Sequence, residues 1–346
     1  MTFRFCGLDL PNNLFLAPLA GVADRSFRAL ALEHGAGLAF SEMISAVGLA
    51  RGDRKTRSLL PAPEEAPRVG VQLFASRPEP IRDAAAILDA LEVPFVDLNC
   101  GCPVRKVVKS GSGSALLRDP GRIATLVAAA RAGTRKPVFV KIRAGWDERS
   151  VNAVEVARAA EGAGAAAITV HGRTAVQQFT GRADWRVVAA VAAAVRVPVI
   201  GNGDLTRPEQ VDAAVAAHGC AGAMIGRGSL GNPWIFRQVL DLRRGVPPAP
   251  PTPEELAAVM VRHCRMALEE HGERTGVHLM RRHLVWYSRG MPGAHEFRRR
   301  ITTLALPAEV EREIEAFVLR ERRAPDEGAR PGGAADGGVP GPTGSA

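Results

Sequence analysis

Apolar residues fall in short continuous runs near 14–17, 38–42, 69–74, 95–99, 138–143, 166–171, 197–202 and 221–226. Runs of that length, bounded by turn residues, read as strands buried on both faces. Helical stretches, most of them Ala-rich, lie near 24–34, 79–91, 120–132, 150–162, 184–194, 207–217 and 233–243. The link over 43–66 is less regular. Strand and helix therefore alternate, which predicts βα units on a parallel sheet. Eight such units over about 245 residues have the size of a (β/α)8 TIM barrel. A doubly wound open sheet predicts fewer strands and a Gly-rich phosphate turn after the first of them. That turn is absent. The expected fold class is thus α/β, a TIM barrel over residues 1–243.

The pattern changes after the barrel. Residues 244–253 hold five prolines in ten positions, which predicts a stiff linker. Thr252 or Pro253 then opens a helix, with Glu254 and Glu255 in its first turn. Residues 254–320 read as a small all-helical domain without strand signals. Within 262–300 stand nine Arg, four Glu and five of the eight His. The tail, 321–346, is rich in Gly and Pro and is expected to be disordered.

Polar and Gly-rich clusters sit just past each predicted strand: Pro18-Leu-Ala-Gly21, Ser41-Glu-Met43, Gln72, Asn99 to Cys102, Lys141-Ile-Arg143, His171-Gly-Arg173, Asn202-Gly-Asp204 and Gly226-Arg-Gly228. In a TIM barrel that end carries the chemistry. Segments at the other end, such as Arg135-Lys-Pro137, look like plain turns. This asymmetry points to an enzyme.

Composition adds less. With 46% apolar and 23% charged residues, the chain is an ordinary globular protein. A formal charge of +9 favours an anionic partner without saying which. The five cysteines are odd in number and scattered, as in reduced thiols of a cytoplasmic protein. No second Cys/His pair completes a metal site. No apolar run is long enough to span a membrane, and no signal-like segment opens the chain. Nothing implies an oligomer.

Several side chains have two readings each. The paired turns Gly201-Asn-Gly-Asp204 and Gly226-Arg-Gly-Ser-Leu-Gly231 suit a phosphate, with Arg227 adding charge, or are simply tight turns. Lys141 and Arg143 alternate on one strand and point the same way. Lys141 could meet the anionic face of a reduced flavin or form a Schiff base. His171 could serve the site or the core. Cys102 follows a strand in the loop Asp97-Leu-Asn-Cys-Gly-Cys-Pro-Val-Arg-Lys-Val-Val-Lys109. Lys106 and Lys109 could lower its pKa and make it a nucleophile. An unperturbed thiol stays protonated and could act as a general acid. Spacing does not choose between them.

In order along the chain, Ala17-Pro-Leu-Ala-Gly21, Ser41-Glu-Met43, Val71-Gln-Leu-Phe74, the Asp97–Lys109 loop, Ser112-Gly-Ser-Ala-Leu-Leu117, Val140-Lys-Ile-Arg143, Val170-His-Gly-Arg-Thr174, Gly201-Asn-Gly-Asp204 and Gly226-Arg-Gly-Ser-Leu-Gly-Asn-Pro-Trp234 resemble the motifs of the flavin-dependent tRNA-dihydrouridine synthases. The resemblance covers residues 8–318. It implies an FMN-containing barrel followed by a helical tRNA-binding domain. In the family NADPH (or NADH) reduces the flavin, a hydride passes to C6 of a uracil, and the motif Cys protonates C5. Here that residue is Cys102. The resemblance assigns FMN to Pro18, Leu19, Ala20, Gln72, Lys141, His171, Asn202, Gly203, Asp204, Gly226 and Arg227. It places Asn99, Arg143 and Arg173 near the uracil or the RNA. Leu19 and Cys100 both stand where the family usually has Met.

A stacked uracil must be unstacked to enter a barrel mouth, at a cost of about a few kcal/mol. Cations on the RNA backbone offset that. Arg281, Arg282, Arg298, Arg299 and Arg300 are the candidates, in a region resembling the family's C-terminal domain. Trp286 and Tyr287 could stack on a base or belong to the core. Three alternatives compete with this reading: an FMN-dependent reductase of a free pyrimidine or other small enone, a non-catalytic RNA-binding protein, and a Lys141 Schiff-base aldolase, which a flavin-loaded preparation would remove. The basic helical region argues against the first. The full set of strand-end groups argues against the second.

Overall fold

In a computed structural model, which describes residues 2–319, the eight apolar runs become eight parallel strands of one closed barrel. A short antiparallel hairpin precedes them, β1 (Phe3–Phe5) and β2 (Leu8–Leu10). The barrel strands are β3 (Leu14–Leu16), β4 (Leu38–Ser45), β5 (Val69–Phe74), β6 (Val96–Cys100), β7 (Val138–Arg143), β8 (Ala167–His171), β9 (Val199–Asn202) and β10 (Gly222–Ile225). Neighbours in sequence are neighbours in space, and β10 pairs with β3 to close the ring. The tail expected at 321–346 lies outside the described residues. Among the described residues no helix is long and apolar enough to cross a membrane.

The hairpin was not expected. Each arm has only three residues, too few for a clear alternating signal. Its two-residue turn, Cys6-Gly7, puts both residues at positive φ, 51° and 82°. That geometry matches the twist of the flanking strands. The hairpin delivers Phe5 to the barrel interior, with ring centroids 5.3 Å from Phe15 and 5.6 Å from Phe139. β4 also runs past its expected end at residue 42, to Ser45. Glu42 breaks the apolar run, but Met43, Ile44 and Ser45 still pair with β5 after a register shift.

Strand side chains alternate between faces, and this sorts the interior into layers. On β7 the inward series is Phe139, Lys141 and Arg143; one β6 series is Asp97 and Asn99, continuing the parity of Phe95. Phe15, Phe40, Phe95 and Phe139 fill the lower layer with Ile200 and Met224. The Phe95 and Phe139 rings stack at 4.3 Å. Gly70 leaves room for Phe95, whose ring occupies the space a Cβ would need. The barrel is thus plugged with aromatics at one end and carries polar and charged groups at the other.

Among the described residues four helices follow the proline-rich segment: Pro253–His271, Glu273–Tyr287, Ala294–Thr303 and Pro307–Leu319. Thr252 caps the first, accepting from Glu255 N at 3.2 Å, which leaves proline at a position that needs no N–H donor. Their core includes Leu30 and Trp234 from the barrel side, so the two regions share buried apolar surface. Trp234 is fully buried, and its Nε1 donates to Glu255 at 2.7 Å.

His263 and His283 are buried at this seam, ring centroids 4.4 Å apart. Burial lowers the His263 pKa to about 4, against the raising pull of Asp24. The folded value lies below the ordinary 6.5, so the unfolded chain binds more protons between the two. This stabilisation is present above pH 6.5 and is lost as pH falls toward 4. His271 works in the opposite sense, raised by its hydrogen bond to Asp24, but it is more exposed and more screened. We expect the gain in stability from pH 5 to pH 7, read by urea unfolding, to be about 2 kcal/mol larger in the wild type than in His263→Gln, a comparison that cancels the opposing Asp97 and the parallel His171 and His283. The same pH dependence in the two proteins would rule out a neutral His263 in the fold.

Candidate active site

Three side chains from three strands meet on one amide. Asn202, at the end of β9, donates from Nδ2 to Met224 O at 2.7 Å. That orients its Oδ1 toward the barrel axis, where it meets Lys141 Nζ at 3.2 Å and His171 Nδ1 at 2.7 Å. Because Oδ1 can only accept, His171 is protonated on Nδ1. Burial and the charges of Arg143 and Lys141 hold the His171 pKa well below its ordinary value, so the ring is neutral. Its Nε2 is then an acceptor, buried and without a partner. The Lys141 pKa is lowered to about 8, first by burial and then by Arg143.

A second network holds the Cys102 loop. Gln72 Nε2 donates to Asp97 Oδ2 at 2.6 Å, and Asn99 Nδ2 donates to Gln72 Oε1 at 2.7 Å. Asn99 Oδ1 accepts from Gly101 N at 3.2 Å and from Cys102 N at 2.9 Å. Ser114 N donates to Cys102 O at 3.0 Å, so the loop is tied on both sides. Gly113, at φ +61°, presses close to the same carbonyl; a Cβ there would stand 2.6 Å from it.

Burial pushes the Cys102 thiol up, and a backbone hydrogen bond from Val104 and the charges of Arg143 and Lys141 only partly offset this. Lys106 and Lys109, considered above as activators of the thiol, are exposed on the short Arg105–Lys109 helix and are not among the groups acting on it. The nucleophile reading loses its support, because a protonated thiol is the weaker attacking group. Cys100 points into the core, fully buried, beside Asp97.

Arg143 and Arg173, taken above as contacts to the uracil or RNA, spend most of their donors on one loop. Arg143 donates to Gly101 O at 2.9 Å and to Thr174 O and Gln178 O at 2.8 Å each. Arg173 donates to Thr180 O at 3.0 Å, to Gly181 O, and to both oxygens of Asp204. Arg227 joins Asp204 at 2.9 Å and lies 4.9 Å from the Phe179 ring. Asp204 holds its unusual backbone, φ 54°, between those two arginines, after Gly203 at φ +130°. Pro18, Leu19 and Ala20 form the turn after β3, and Leu19 lies beside Gly226. A Cβ at Gly226 would stand 3.6 Å from Leu19 Cδ2.

The remaining candidates lie on the helices. Arg281 donates to Leu304 O at 3.0 Å, and Arg298 donates to Ser288 Oγ at 3.0 Å and Val285 O at 3.1 Å. Both tie helix ends together. Arg282 reaches across to Gly21 O, on the turn after β3. Arg299 and Arg300 pair with Glu296 and Glu313. Tyr287 is core, its hydroxyl 3.1 Å from His263 Nδ1. Arg105, Lys106 and Lys109 stand exposed just past Cys102. The run Arg105-Lys-Val-Val-Lys109, one residue after Cys102-Pro103, was the available signal that these cations flank the mouth. An open depression of about 460 Å³ lies at the opposite end, lined by Cys6, Arg131, Arg135 and Pro198. No strand-end polar group reaches it, so the chemistry belongs to the other face.

The fold and the site together define a TIM-barrel enzyme with a cationic mouth and a protonated thiol. A model of the family "Dihydrouridine synthase (Dus)" matches residues 15–322, and the chain belongs to that family. It is 37% identical over 312 residues to the "Probable tRNA-dihydrouridine synthase" of Rickettsia bellii, covering 90% of this chain and 96% of that one. It is 40% identical over 298 residues to "tRNA-dihydrouridine synthase B" of Pseudomonas aeruginosa, covering 85% and 89%. A third relative, the "Probable tRNA-dihydrouridine synthase" of Treponema pallidum, is 36% identical over 303 residues, covering 85% and 89%.

Proposed function

We propose that the protein is a tRNA-dihydrouridine synthase, reducing the C5=C6 bond of uridines in tRNA with FMN and NADPH (or NADH). One observation carries the reading: a thiol kept protonated at the end of β6, on a loop fixed by Asn99, beside a cationic barrel mouth. The names of the relatives support the substrate.

The residues present fit a flavin. His171 Nε2 is a buried acceptor without a partner, and the ammonium of Lys141 has a single neutral partner, Asn202. A ring system carrying an N–H and carbonyl oxygens would satisfy both. Gln72, Lys141, His171 and Asn202 would hold such a ring. Pro18, Leu19 and Ala20 would lie against it, and Gly203, Asp204, Gly226 and Arg227 would take its phosphate arm. Bound there, FMN supplies the hydride, drawn from the nicotinamide.

The chain's own groups do the rest. Cys102 Sγ–H donates the proton to C5. Lys141 opposes negative charge on the bound ring. Asn99 stands one strand residue before the Cys102 loop, where it can face the base as well as the backbone. Arg143 and Arg173 shape the loop over 174–181 that borders the base. Arg105, Lys106 and Lys109 meet phosphates next to the extruded nucleotide, and Arg281, Arg282 and Arg298 brace the helical region that carries the RNA body. The 254–320 segment acts as the tRNA-binding domain, joined to the barrel of 1–243 through the linker at 244–253.

The test is mass spectrometry. Purified protein is incubated with NADPH and unmodified tRNA transcripts, which are then digested. A gain of about two mass units on uridine at a defined position is expected, the mass of the two hydrogens that hydride and proton deliver. Flavin bands with no gain on any transcript, but NADPH oxidation by a free pyrimidine, would replace this reading with the small-substrate reductase.

A further inference from the structure

We propose that Asp97 is a positioning residue: through Gln72 and Asn99 its carboxylate fixes the backbone N–H groups of Gly101 and Cys102, and so aims the thiol. This rests on the reading of Cys102 as the acid. Nothing about an acidic residue in a buried strand requires such a role, and the argument comes from how the hydrogen bonds must be polarised.

Asp97 lies in the middle of β6, fully buried, in register with Gln72 on β5. An ionised carboxylate has acceptors only. Gln72 must therefore turn its Nε2 toward Asp97, as it does at 2.6 Å. Its Oε1, at the other corner of the amide, then faces Asn99. Asn99 must answer with Nδ2, as it does at 2.7 Å. That leaves Asn99 Oδ1 for the loop, where it accepts from two successive backbone N–H groups. Each amide alone could be turned either way. The two ends of the chain of bonds decide, and both demand the same sense: an acceptor at Asp97 Oδ2 and pure donors at Gly101 and Cys102.

The relay is stiff at its other contacts. Gln72 N donates to Ser41 Oγ at 3.0 Å, so the middle member is held by its backbone as well. Asp97 Oδ1 is buried without a hydrogen bond. The carboxyl is pushed up to about 7 by burial, against the Gln72 bond and the charge of Lys141; a proton carried on the unbonded Oδ1 leaves Oδ2 an acceptor, so the sense of the relay is the same in either state. A buried, half-satisfied acid in the barrel wall is costly, and an apolar residue would pack there without that cost. The orientation of the Cys102 loop is what the acid supplies in return. Lys141 offers a rival explanation, in which Asp97 serves only as a counter-charge. The two differ in what asparagine does at this position, since it keeps an acceptor oxygen but carries no charge.

The experiment compares Asp97→Asn, Asp97→Leu and Asp97→Ala in the full-length protein. Leu fills the volume without an acceptor, and Ala empties it. Two quantities are measured in each: hydrogen exchange of the peptide covering residues 99–104, and single-turnover oxidation of the prereduced protein by tRNA transcript. Asp97→Leu and Asp97→Ala are expected to speed exchange of the Gly101 and Cys102 amides about 10-fold or more. They should slow tRNA reduction by about 10- to 100-fold, since small misplacement of a reacting group has effects of that order. Because Asp97 also orients Gln72, which would lie at the ring, the single-turnover rates are taken on flavin-loaded protein and expressed per bound flavin. Asp97→Asn should restore both exchange and turnover to within a few-fold. Wild-type exchange in Leu and Ala would overturn the proposal. So would an Asn variant as impaired as Leu, which would assign Asp97 to charge balance. Exchange raised throughout the barrel, rather than in the loop, would assign it to the core and also overturn the proposal. If the wild-type protein reduces no tRNA, the proposed function fails, and the exchange arm still decides whether Asp97 holds the loop.

Discussion

Cys102→Ala is expected to keep its flavin and its reduction by NADPH while losing turnover on tRNA by about 10²- to 10⁴-fold, the usual worth of a positioned general acid. The fold should survive, because the loop is held by its backbone: Asn99 Oδ1 accepts from Cys102 N, and Ser114 N donates to Cys102 O. Neither bond uses Sγ. Burial keeps the thiol protonated, so it is a competent donor through neutral pH and is lost only above the ordinary thiol range. Cys102→Ser separates acid from nucleophile in part, since a hydroxyl keeps the shape but is the poorer proton donor. It should fall between wild type and Ala. Single-turnover mixing of prereduced protein with transcript reads the relevant step. Wild-type turnover in Cys102→Ala would remove the thiol from the mechanism. Slow alkylation of Cys102 at neutral pH is the companion expectation, and rapid alkylation would restore the nucleophile.

The barrel was legible because buried parallel strands leave continuous apolar runs, and a run of Val, Ile and Leu between turn residues has few other uses. Strand ends were legible for the same reason: once the runs are placed, the polar residues that follow them lie on one face. What hid was anything that breaks a run or depends on distant chain. Glu42 cut β4 short on paper, although the strand continues to Ser45. Asp97 sat inside a run and passed for part of a motif, although its parity with Phe95 and Asn99 points it inward. The convergence of Lys141 and His171 on Asn202 joins residues 61 and 31 positions apart, which no local pattern encodes.

Charge was the least legible property. An arginine at a strand end reads as a ligand contact, yet Arg143 and Arg173 chiefly hold the carbonyls of the 174–181 loop. Five donors in a planar fork suit backbone carbonyls as well as phosphates. The same applies to Arg281 and Arg298, which tie helix ends. Arg105, Lys106 and Lys109, just past the thiol, face solvent and form no ion pair among the described residues. A basic sequence therefore divides into cations that build the mouth and cations that face outward from it, and only packing separates the two.

Lys141→Ala is expected to weaken flavin retention and to slow flavin reduction by about 10²- to 10³-fold, the range found when one preorganised donor is removed from a site of developing negative charge. Lys141 is placed for that task by strand parity, one inward position above Phe139 and one below Arg143. Its ammonium has Asn202 Oδ1 as a hydrogen-bond partner, and its pKa is lowered to about 8 by burial and by Arg143. Binding a group that becomes anionic reverses that pressure and raises the pKa again, so charge and ligand stabilise each other. The lowered value sets a pH test with a definite sign. Without ligand, the charged form is lost as pH rises through about 8, so flavin affinity should fall over that range. Lys141→Arg keeps charge but not shape and should recover part of the affinity without the pH limb. Fluorescence titration of apoprotein with FMN across roughly pH 6 to 10, about two units either side of the lowered lysine pKa of about 8, reads both effects, since bound and free flavin differ in emission. A Lys141→Ala protein that binds and reduces flavin like wild type would move the lysine out of the cofactor site, leaving Gln72, Asn202 and His171 to hold the ring.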